Sequence, residues 1–369
     1  FNNTNYPLNS LPAVAATWQS VSGKEASGQP YMGRKAVRNV VVSALKDAID
    51  SSVTAREDQR NFNIIVCPGY PELTNNLVTL NNDRRNTGFI LVDSPMGLSS
   101  DLTSVGNYVT NSSAVSATNE DGLATSDSYT AVFYPGAAYT NSLDGVGQVV
   151  VPITHAVLRM IVKSDQNSHP WFAPAGSIRG KIDNVLKIGY VDRVTGKFYS
   201  IGTNQGLRDL LYQNNVNPVA VFPTEGIVNY GNHTRQGTAT ALDRINVARL
   251  INYLRYNLER IVKPLVFEPN DTITRNEAKQ SVEGLLNDIV AQRGIYDYLV
   301  VCDTSNNTPA TIDRNELHID IAIEPTKATE FIYVPVRILN TGAIAGTGAN
   351  QGGLSNITPS VTLGTTGTR

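Results

Sequence analysis

The sequence predicts a multidomain protein in which an α/β domain with parallel strands is followed by a C-terminal α+β domain. Three observations support this fold class. A length of 369 residues is typical of two or three domains. Between residues 36 and 165, short runs that are apolar on both faces alternate with helical segments, as in βαβ units. From residue 241 to residue 338, two helical segments precede strand-like segments, an order typical of α+β domains.

The predicted α/β domain, residues 36–165, begins with a helix in the segment AVRNVVVSALKDAID. Three buried strands are predicted in NIIVC, GFILVD and TAVFY, with a helix in TNNLVTLNNDRR between the first two. The segment VVVPITHAVLRMIVKSD is predicted to be a buried helix that crosses the sheet. Prolines in residues 1–35 predict an irregular N-terminal segment. Residues 166–240 are rich in Pro and Gly, and we expect a connecting region with one hairpin.

The predicted C-terminal α+β domain, residues 241–338, starts with a long helix from Ala241 to Lys263 that ends at Pro264. A capping box at Thr274–Glu277 is expected to open a second helix, which stops at Gly294. Three strands are predicted after it, in DYLVVCD, LHIDIAIE and FIYVPVRI. Residues 339–369 are rich in Gly, Thr and Ser and predict a flexible tail.

Composition argues against several classes of protein. Hydrophobic residues make up 41% and charged residues 17% of the chain, and the net charge is −2. This balance provides no general basic field for direct binding of nucleic acid. No apolar run reaches the roughly 18 residues that a membrane-inserted helix needs. The two cysteines, Cys67 and Cys302, lie in apolar strand-like runs and are interpreted as buried thiols.

Residue patterns that would support catalysis or metal binding are weak. The four histidines lack metal-ligand spacing, and His155 is interpreted as a core residue. The oxygen-rich run 303–307 is interpreted as a turn, since it lacks the features of an EF-hand loop. An α/β enzyme would place its polar groups at the carboxyl ends of the strands. Those positions hold Pro68, Asp93, Ser94, Pro95, Tyr134 and Pro135. This set is a weak constellation, so the sequence predicts a non-enzyme without cofactors.

The long helix presents two different faces at 100° per residue. The apolar stripe consists of Val247, Leu250, Ile251, Leu254, Leu258 and Ile261. The opposite side, here called the predicted helix face, consists of Arg249, Tyr253, Tyr256, Arg260 and Lys263. This face is either a solvated surface or a basic, aromatic surface that docks on an acidic partner.

The last predicted strand is a candidate edge for contact between subunits. Pro335 interrupts its row of backbone donors, and proline in a strand indicates an edge position. An open edge is a liability unless another chain pairs with it. The candidate residues of this edge are Phe331, Tyr333, Pro335 and Arg337.

Several stretches resemble one family at independent points in the same order. LDRINVARLINYLRYNLERIVKPLVFEPNDTITR and AQRGIYDYLVVCDTSNNTPATIDRNELHIDIAIEPTKATEFIYVPV closely resemble the C-terminal domain of contractile tail sheath proteins. Pro170–Gly176 with Arg179-Gly180, Asn217-Pro218 and the run GNHT at 231–234 resemble upstream parts of that family. The resemblance covers about residues 170–338. Before residue 150 only the coarse α/β pattern is similar, and the tail has no counterpart.

The resemblance implies a helical sleeve of subunits around a rigid inner tube. The sleeve assembles in an extended state in the host cytoplasm and contracts in the virion tail when the baseplate triggers it. Contraction drives the tube through the host envelope for genome ejection. A difference in subunit packing between two states would store the energy. The implied partners are further copies of the chain, the tail tube protein, the baseplate and the tail terminator.

The resemblance also assigns roles to residues. The family's C-terminal domain lies against the tube, which makes the predicted helix face a candidate tube contact. Terminal arms add strands to a neighbour's C-terminal sheet, which makes Phe331–Ile338 the candidate acceptor edge. The N-terminal arm is expected within or before the first 35 residues. The chain starts at Phe1 rather than Met, and a fragment without this arm is expected to stay largely monomeric. Another lattice protein, such as a capsid or surface-layer subunit, is the alternative.

Overall fold

Three β-sheets organise the part of the chain that the computed structural model describes. The described residues are 34–57, 60–112, 119, 122–142, 147–192 and 195–330. Residues up to Thr326 belong to one compact unit, and the sheets, helices and clefts described below all lie within it. The structure is of the mixed α/β type.

The first sheet has five strands in the order β1-β2-β3-β8-β9. These are β1 (Ile64–Val66), β2 (Phe89–Asp93), β3 (Thr130–Tyr134), β8 (Asn217–Phe222) and β9 (Gly226–Asn229). The first four run parallel, and β9 returns antiparallel to β8. The strands predicted in NIIVC, GFILVD and TAVFY are therefore confirmed. Strands β8 and β9 come from residues 166–240 and extend the same sheet.

The second sheet is antiparallel, with the order β5-β4-β6-β7. Its strands are β4 (Ala137–Asn141), β5 (Gln148–Pro152), β6 (Lys187–Val191) and β7 (Phe198–Ser200). The pairing of β6 with β7 confirms the predicted hairpin. The prediction of one helix over VVVPITHAVLRMIVKSD was wrong in its first part. The β-branched residues before Pro152 form β5, because Val favours an extended backbone, and the helix starts at Ile153.

The third sheet contains β10 (Ile295–Val301) and β11 (Asp320–Pro325), paired antiparallel. The predicted third strand of this domain, Phe331–Ile338, lies outside the described residues. Burial alternates along β11, as the strict alternation of LHIDIAIE predicted. Within the described ranges, β10 and β11 pair only with each other, so each has one long edge without a strand beside it.

Helices cover both faces of the first sheet. They are α1 (Arg34–Ser51), α2 (Thr74–Asp83), α3 (Leu102–Val109), α4 (Ile153–Asn167), α5 (Gly176–Arg179), α6 (Gln205–Gln213), α7 (Ile245–Val262), α8 (Thr272–Ala291) and α9 (Pro309–Asp313). Phe89 and Leu91 of β2 pack in the cluster that contains α4. Ile90 and Val92 pack in the cluster that contains α2, α3 and α6. Alternate side chains thus enter two cores, which explains why the strand is apolar on both faces.

The start of α8 corrects the predicted capping box. Asp271 is the N-cap, and its Oδ1 accepts hydrogen bonds from the backbone N–H groups of Ile273 and Thr274, each at 2.9 Å. Thr274 therefore lies inside the helix. Aspartate is among the preferred N-cap residues because its short side chain reaches these otherwise unpaired donors.

His155 is exposed on the outer side of α4, so its interpretation as a core residue was wrong. It follows two buried residues, Ile153 and Thr154, and the turn of the helix carries it to the solvent side. Of the two cysteines, Cys302 is buried and Cys67 is half-buried, and both are free thiols.

Candidate functional site

The apolar stripe of α7 is where the C-terminal core forms. Leu250 and Leu254 are buried against Val282 and Leu286 of α8 and against Ile295 and Val300 of β10. Ile251, Leu258 and Ile261 of the same stripe are partly buried there. This packing confirms the predicted apolar side of the helix and fixes which residues can face outward.

Arg249 does not belong to an exposed face, although the helical period placed it there. Its side chain is 3% exposed and forms an ion pair with Asp165 near the end of α4. Its Nη1 donates to Asp165 Oδ1 at 3.0 Å, and its Nη2 donates to Asp165 Oδ2. The predicted exposure was wrong because α4 packs over this side of α7. The pair joins a helix of the α/β part to the C-terminal helix.

Tyr253 is only partly available on the predicted helix face, because its ring also packs against a buried side chain. It is half-buried, and its ring meets the Trp171 indole edge-on with centroids 5.3 Å apart. Trp171 lies in the loop after α4, is buried, and donates its Nε1–H to the Gln292 carbonyl at 3.1 Å. This loop therefore inserts an aromatic anchor into the core between α7, α8 and β10. In the sequence, only the resemblance to the sheath family drew attention to this loop, and no residue pattern predicted its packing.

Tyr256, Arg260 and Lys263 form the outward part of the predicted helix face. Arg260 and Lys263 are exposed, and Tyr256 is half-buried. The Arg260 guanidinium lies over the Tyr256 ring, 5.6 Å from its centroid. Cation–π contacts at such exposed positions contribute about 0.5–1 kcal/mol, so the pair is loosely held and accessible.

Two adjoining clefts run between α7 and loops of the first sheet. The first, here called the asparagine cleft, has a volume of about 330 Å³. It is lined by Asn61, Phe62, Asn63, Thr87, Pro170, Arg249, Asn252, Tyr253, Tyr256 and Asn257. The second, here called the basic cleft, has a volume of about 240 Å³. It is lined by Arg60, Asn61, Asp83, Arg84, Arg85, Thr87, Tyr256, Glu259, Arg260 and Lys263. Asn61, Thr87 and Tyr256 border both clefts.

The basic cleft carries an excess of positive charge. Five cations and two carboxylates line it. Asp83 is paired with Arg56 outside the cleft at 2.7 Å, and Glu259 is paired with Arg85 at 3.2 Å. Arg260 and Lys263 have no carboxylate partner among the residues that the structure describes, and their exposed side chains can meet an anionic group.

Local hydrogen bonds hold the wall opposite α7 in place. The Arg84 guanidinium lies 4.0 Å from the Phe62 ring centroid and donates to the carbonyls of Ala55 and Arg60 at 2.9 and 2.6 Å. Arg255 of α7 donates to the Asn86 carbonyl at 3.2 Å, which ties the helix to this loop. Residues 60–63 and 84–87 could not be predicted as part of the site, because their contact with α7 joins positions far apart in the chain.

Asp93, one of the polar residues predicted at the carboxyl ends of the strands, joins two elements of the fold. Its carboxylate accepts from the Gly69 and Thr154 backbone N–H groups, both at 2.7 Å, and from Thr154 Oγ1 at 2.8 Å. Thr154 lies in the first turn of α4, where unpaired N–H groups favour a carboxylate. Asp93 therefore joins the end of β2 to the start of α4. Its three hydrogen bonds within the described part of the chain are to groups of the fold.

The burial of the Asp93 carboxyl group makes stability depend on pH. Burial raises the pKa of Asp93 to about 6, above the value of about 3.9 in an unfolded chain. The folded state therefore binds this proton more tightly, and the group's contribution is complete below about pH 4 and lost as pH rises through 6. We expect a loss of about 3 kcal/mol in the free energy of unfolding across this range. Urea titrations of the wild type and Asp93→Asn measure it, and equal pH slopes for the two proteins would contradict it.

The described ranges contain no group of three or more His, Cys, Asp and Glu side chains placed to hold a metal ion. The run 303–307 is a turn in which Asp303 Oδ1 accepts from the Ser305 backbone N–H at 2.7 Å and from its hydroxyl at 2.6 Å. In the part of the chain that the structure describes, no helix is both long and apolar enough to cross a membrane. The candidate edge residues Phe331, Tyr333, Pro335 and Arg337 lie outside that part.

Sequence comparison relates the chain to phage tail proteins. Residues 238–338 match the phage tail sheath C-terminal domain family. The tail sheath protein of Enterobacteria phage T4 is 38% identical over 193 residues, which cover 52% of this chain and 28% of that protein. The tail sheath protein of Vibrio phage KVP40 is 37% identical over 193 residues, which cover 52% of this chain and 27% of that protein. The matched part is thus only about a quarter of each relative.

Solved structures show the same fold at low sequence identity. A chain of the anti-feeding prophage baseplate has a TM-score of 0.59 at 17% identity, covering 84% of this chain and 76% of its own. A chain of the contracted sheath complex of the extracellular contractile injection system PVC has a TM-score of 0.60 at 16% identity, covering 79% and 74%. Residues 238–338 thus match the phage tail sheath C-terminal domain, and over half of the chain is similar in sequence to phage tail sheath proteins.

Proposed function

We propose that the chain is part of a structural subunit of a contractile tail sheath. The observation that carries this proposal is the 38% identity to the phage T4 tail sheath protein, which spans 52% of the chain. The fold similarity to anti-feeding prophage and PVC chains extends over most of the remainder. The subunit surrounds an inner tube, and contraction of the sleeve drives the tube through the host envelope. Its partners are other copies, the tube protein, the baseplate and the tail terminator, in a virion tail assembled in the host cytoplasm.

The packing of the chain suits a subunit that moves as a rigid body. In the proposed mechanism the stored energy lies in contacts between subunits, so each subunit keeps its internal structure while those contacts change. The Arg249–Asp165 pair and the Trp171 anchor both tie the C-terminal helices to segments that precede them. These ties support the proposal, because they would transmit a displacement of one part to the other.

The edges of β10 and β11 that no strand of the described residues covers support a second element of the proposal. A two-stranded sheet is marginal by itself and gains stability when further strands are added. Here α7 and α8 cover one face of the sheet. We infer that strands from neighbouring subunits complete it and keep the lattice connected during contraction. The predicted acceptor edge at Phe331–Ile338 remains part of this proposal.

We further propose that the outward part of the predicted helix face contacts the tube. Tyr256, Arg260 and Lys263 carry this contact, the half-buried Tyr253 adds to it, and the buried Arg249 supports the helix from inside. A half-buried aromatic ring flanked by exposed cations suits an acidic protein surface, because charge complementarity speeds encounter and fixes orientation.

Charge reversal tests the tube contact. The double variant Arg260→Glu/Lys263→Glu should weaken binding to purified tail tubes by roughly tenfold at low salt, with a smaller effect at high salt, because exposed charges are screened. Sedimentation of the protein with tubes measures binding. The control is Lys181→Glu/Lys187→Glu, which makes the same charge change at exposed positions outside the clefts. Equal losses for the two variants would contradict the contact.

A further inference from the structure

The asparagine cleft contains a buried amide without a partner. Asn252 is 3% exposed, and neither its Oδ1 nor its Nδ2 has a hydrogen-bond partner among the described residues. A buried polar group without a partner destabilises a fold by about 1–3 kcal/mol. Asparagine is also a poor residue for a helix interior. The fold therefore has no evident use for this side chain.

The cleft around Asn252 suits a segment of main chain. Its walls include the rings of Phe62, Tyr253 and Tyr256, and its polar rim includes the amides of Asn61 and Asn63. A main-chain peptide group offers one donor and one acceptor side by side. The Asn252 side chain offers the complementary acceptor and donor. A volume of about 330 Å³ leaves room for a short extended segment rather than a folded element.

The adjoining basic cleft adds a charge requirement. Tyr256 borders both clefts, so a segment lying over Asn252 continues past this ring toward Arg260 and Lys263. These cations have no carboxylate partner among the described residues, whereas Arg85 is paired with Glu259. A segment whose peptide group pairs with Asn252, and which carries an acidic side chain farther along, would also pair with Arg260 and Lys263.

We propose that the two clefts together bind an extended acidic polypeptide segment of the protein that the predicted helix face contacts. Neighbouring atoms cover the Asn252 amide in the free chain; the bound segment opens this wall of the cleft and pairs a main-chain peptide group with the amide, and Arg260 and Lys263 bind a carboxylate farther along the segment. This inference rests on the proposed function and specifies its partner. The tube contact then consists of an inserted segment rather than two apposed flat surfaces.

Stability gives the first test. Leucine has nearly the shape of asparagine without its polar atoms, so Asn252→Leu should raise the midpoint of urea unfolding while it abolishes segment binding. A merely structural amide would give the opposite result, a lower midpoint. The matched control is Asn276→Leu, which makes the same change at an exposed position of α8 and should leave both the midpoint and the binding unaltered.

Binding gives the second test. The probe is a fluorescent peptide of alternating Gly and Glu, measured with the wild-type chain by anisotropy. Its analogue with N-methylated main-chain amides should bind roughly tenfold more weakly, because it lacks donors for Asn252 Oδ1. A Gly–Lys analogue should not bind. Equal binding of the methylated and unmethylated peptides, or a wild type that binds no Gly–Glu peptide, would overturn the inference.

The two proposals can fail separately. If the Gly–Glu peptide does not bind although the complete protein assembles on tubes, only the segment inference is overturned. If the peptide binds but the complete protein never associates with tubes, the proposed sheath function is overturned.

Discussion

Trp171→Ala should lower the free energy of unfolding by about 3–5 kcal/mol, the usual range for removing a buried aromatic side chain. The indole is 3% exposed in the C-terminal core. Its removal leaves a cavity and also takes away the Nε1–H donor of the Gln292 carbonyl. Its buried neighbours in that core are Leu250, Leu254, Val282, Leu286, Ile289, Ile295 and Val300. Urea unfolding monitored by circular dichroism measures the change.

Trp171→Phe is the matched control for this prediction. Phenylalanine fills much of the cavity but cannot donate the hydrogen bond, so it should cost only about 1–2 kcal/mol. Hydrogen exchange should locate the damage in α8 and β10, with β2 and β3 less affected. A loss below about 1 kcal/mol for Trp171→Ala would show that the loop does not anchor the C-terminal core.

Arg249→Leu should lower the free energy of unfolding by about 3 kcal/mol, because it leaves the Asp165 carboxylate in a mostly buried position without its partner. The Asp165 side chain is 21% exposed, so partial hydration moderates the loss. Chemical denaturation of the purified variant measures it. This substitution tests the fold, and it is therefore unsuitable as a test of the tube contact.

The double variant Arg249→Leu/Asp165→Leu is the control for the ion pair. Replacing both partners by apolar residues is often nearly neutral, because the desolvation penalty disappears together with the attraction. We therefore expect it to recover most of the lost stability. A double variant as unstable as the sum of the single variants would contradict a direct pairing of the two residues.

Much of the fold could be predicted, because local sequence patterns indicate which segments form strands and helices and which of their residues are buried. Strands β2 and β3 are buried at every position and mostly apolar, and only a sheet covered on both faces buries such strands. The period of α7 identified Leu250 and Leu254 as core residues. In each case the local pattern and the tertiary environment demand the same residue types.

The errors arose where a local pattern allowed two outcomes. The helical period of α7 showed on which side of the helix Arg249 lies. It could not show that α4 lies on that side and pairs Asp165 with Arg249. Two capping residues, Asp271 and Thr274, are separated by three positions, and only the structure showed which one forms the cap. The loops opposite α7 were missed since nothing local in residues 60–63 or 84–87 indicates a distant helix.

Cryo-electron microscopy of the complete protein, mixed with purified tail tubes, tests the central proposal most directly. We expect a helical sleeve around the tube, in which residues 238–338 form the inner layer and β10–β11 is joined by strands of neighbouring subunits. Bare tubes beside discrete globular particles, or a closed shell without an inner tube, would contradict it.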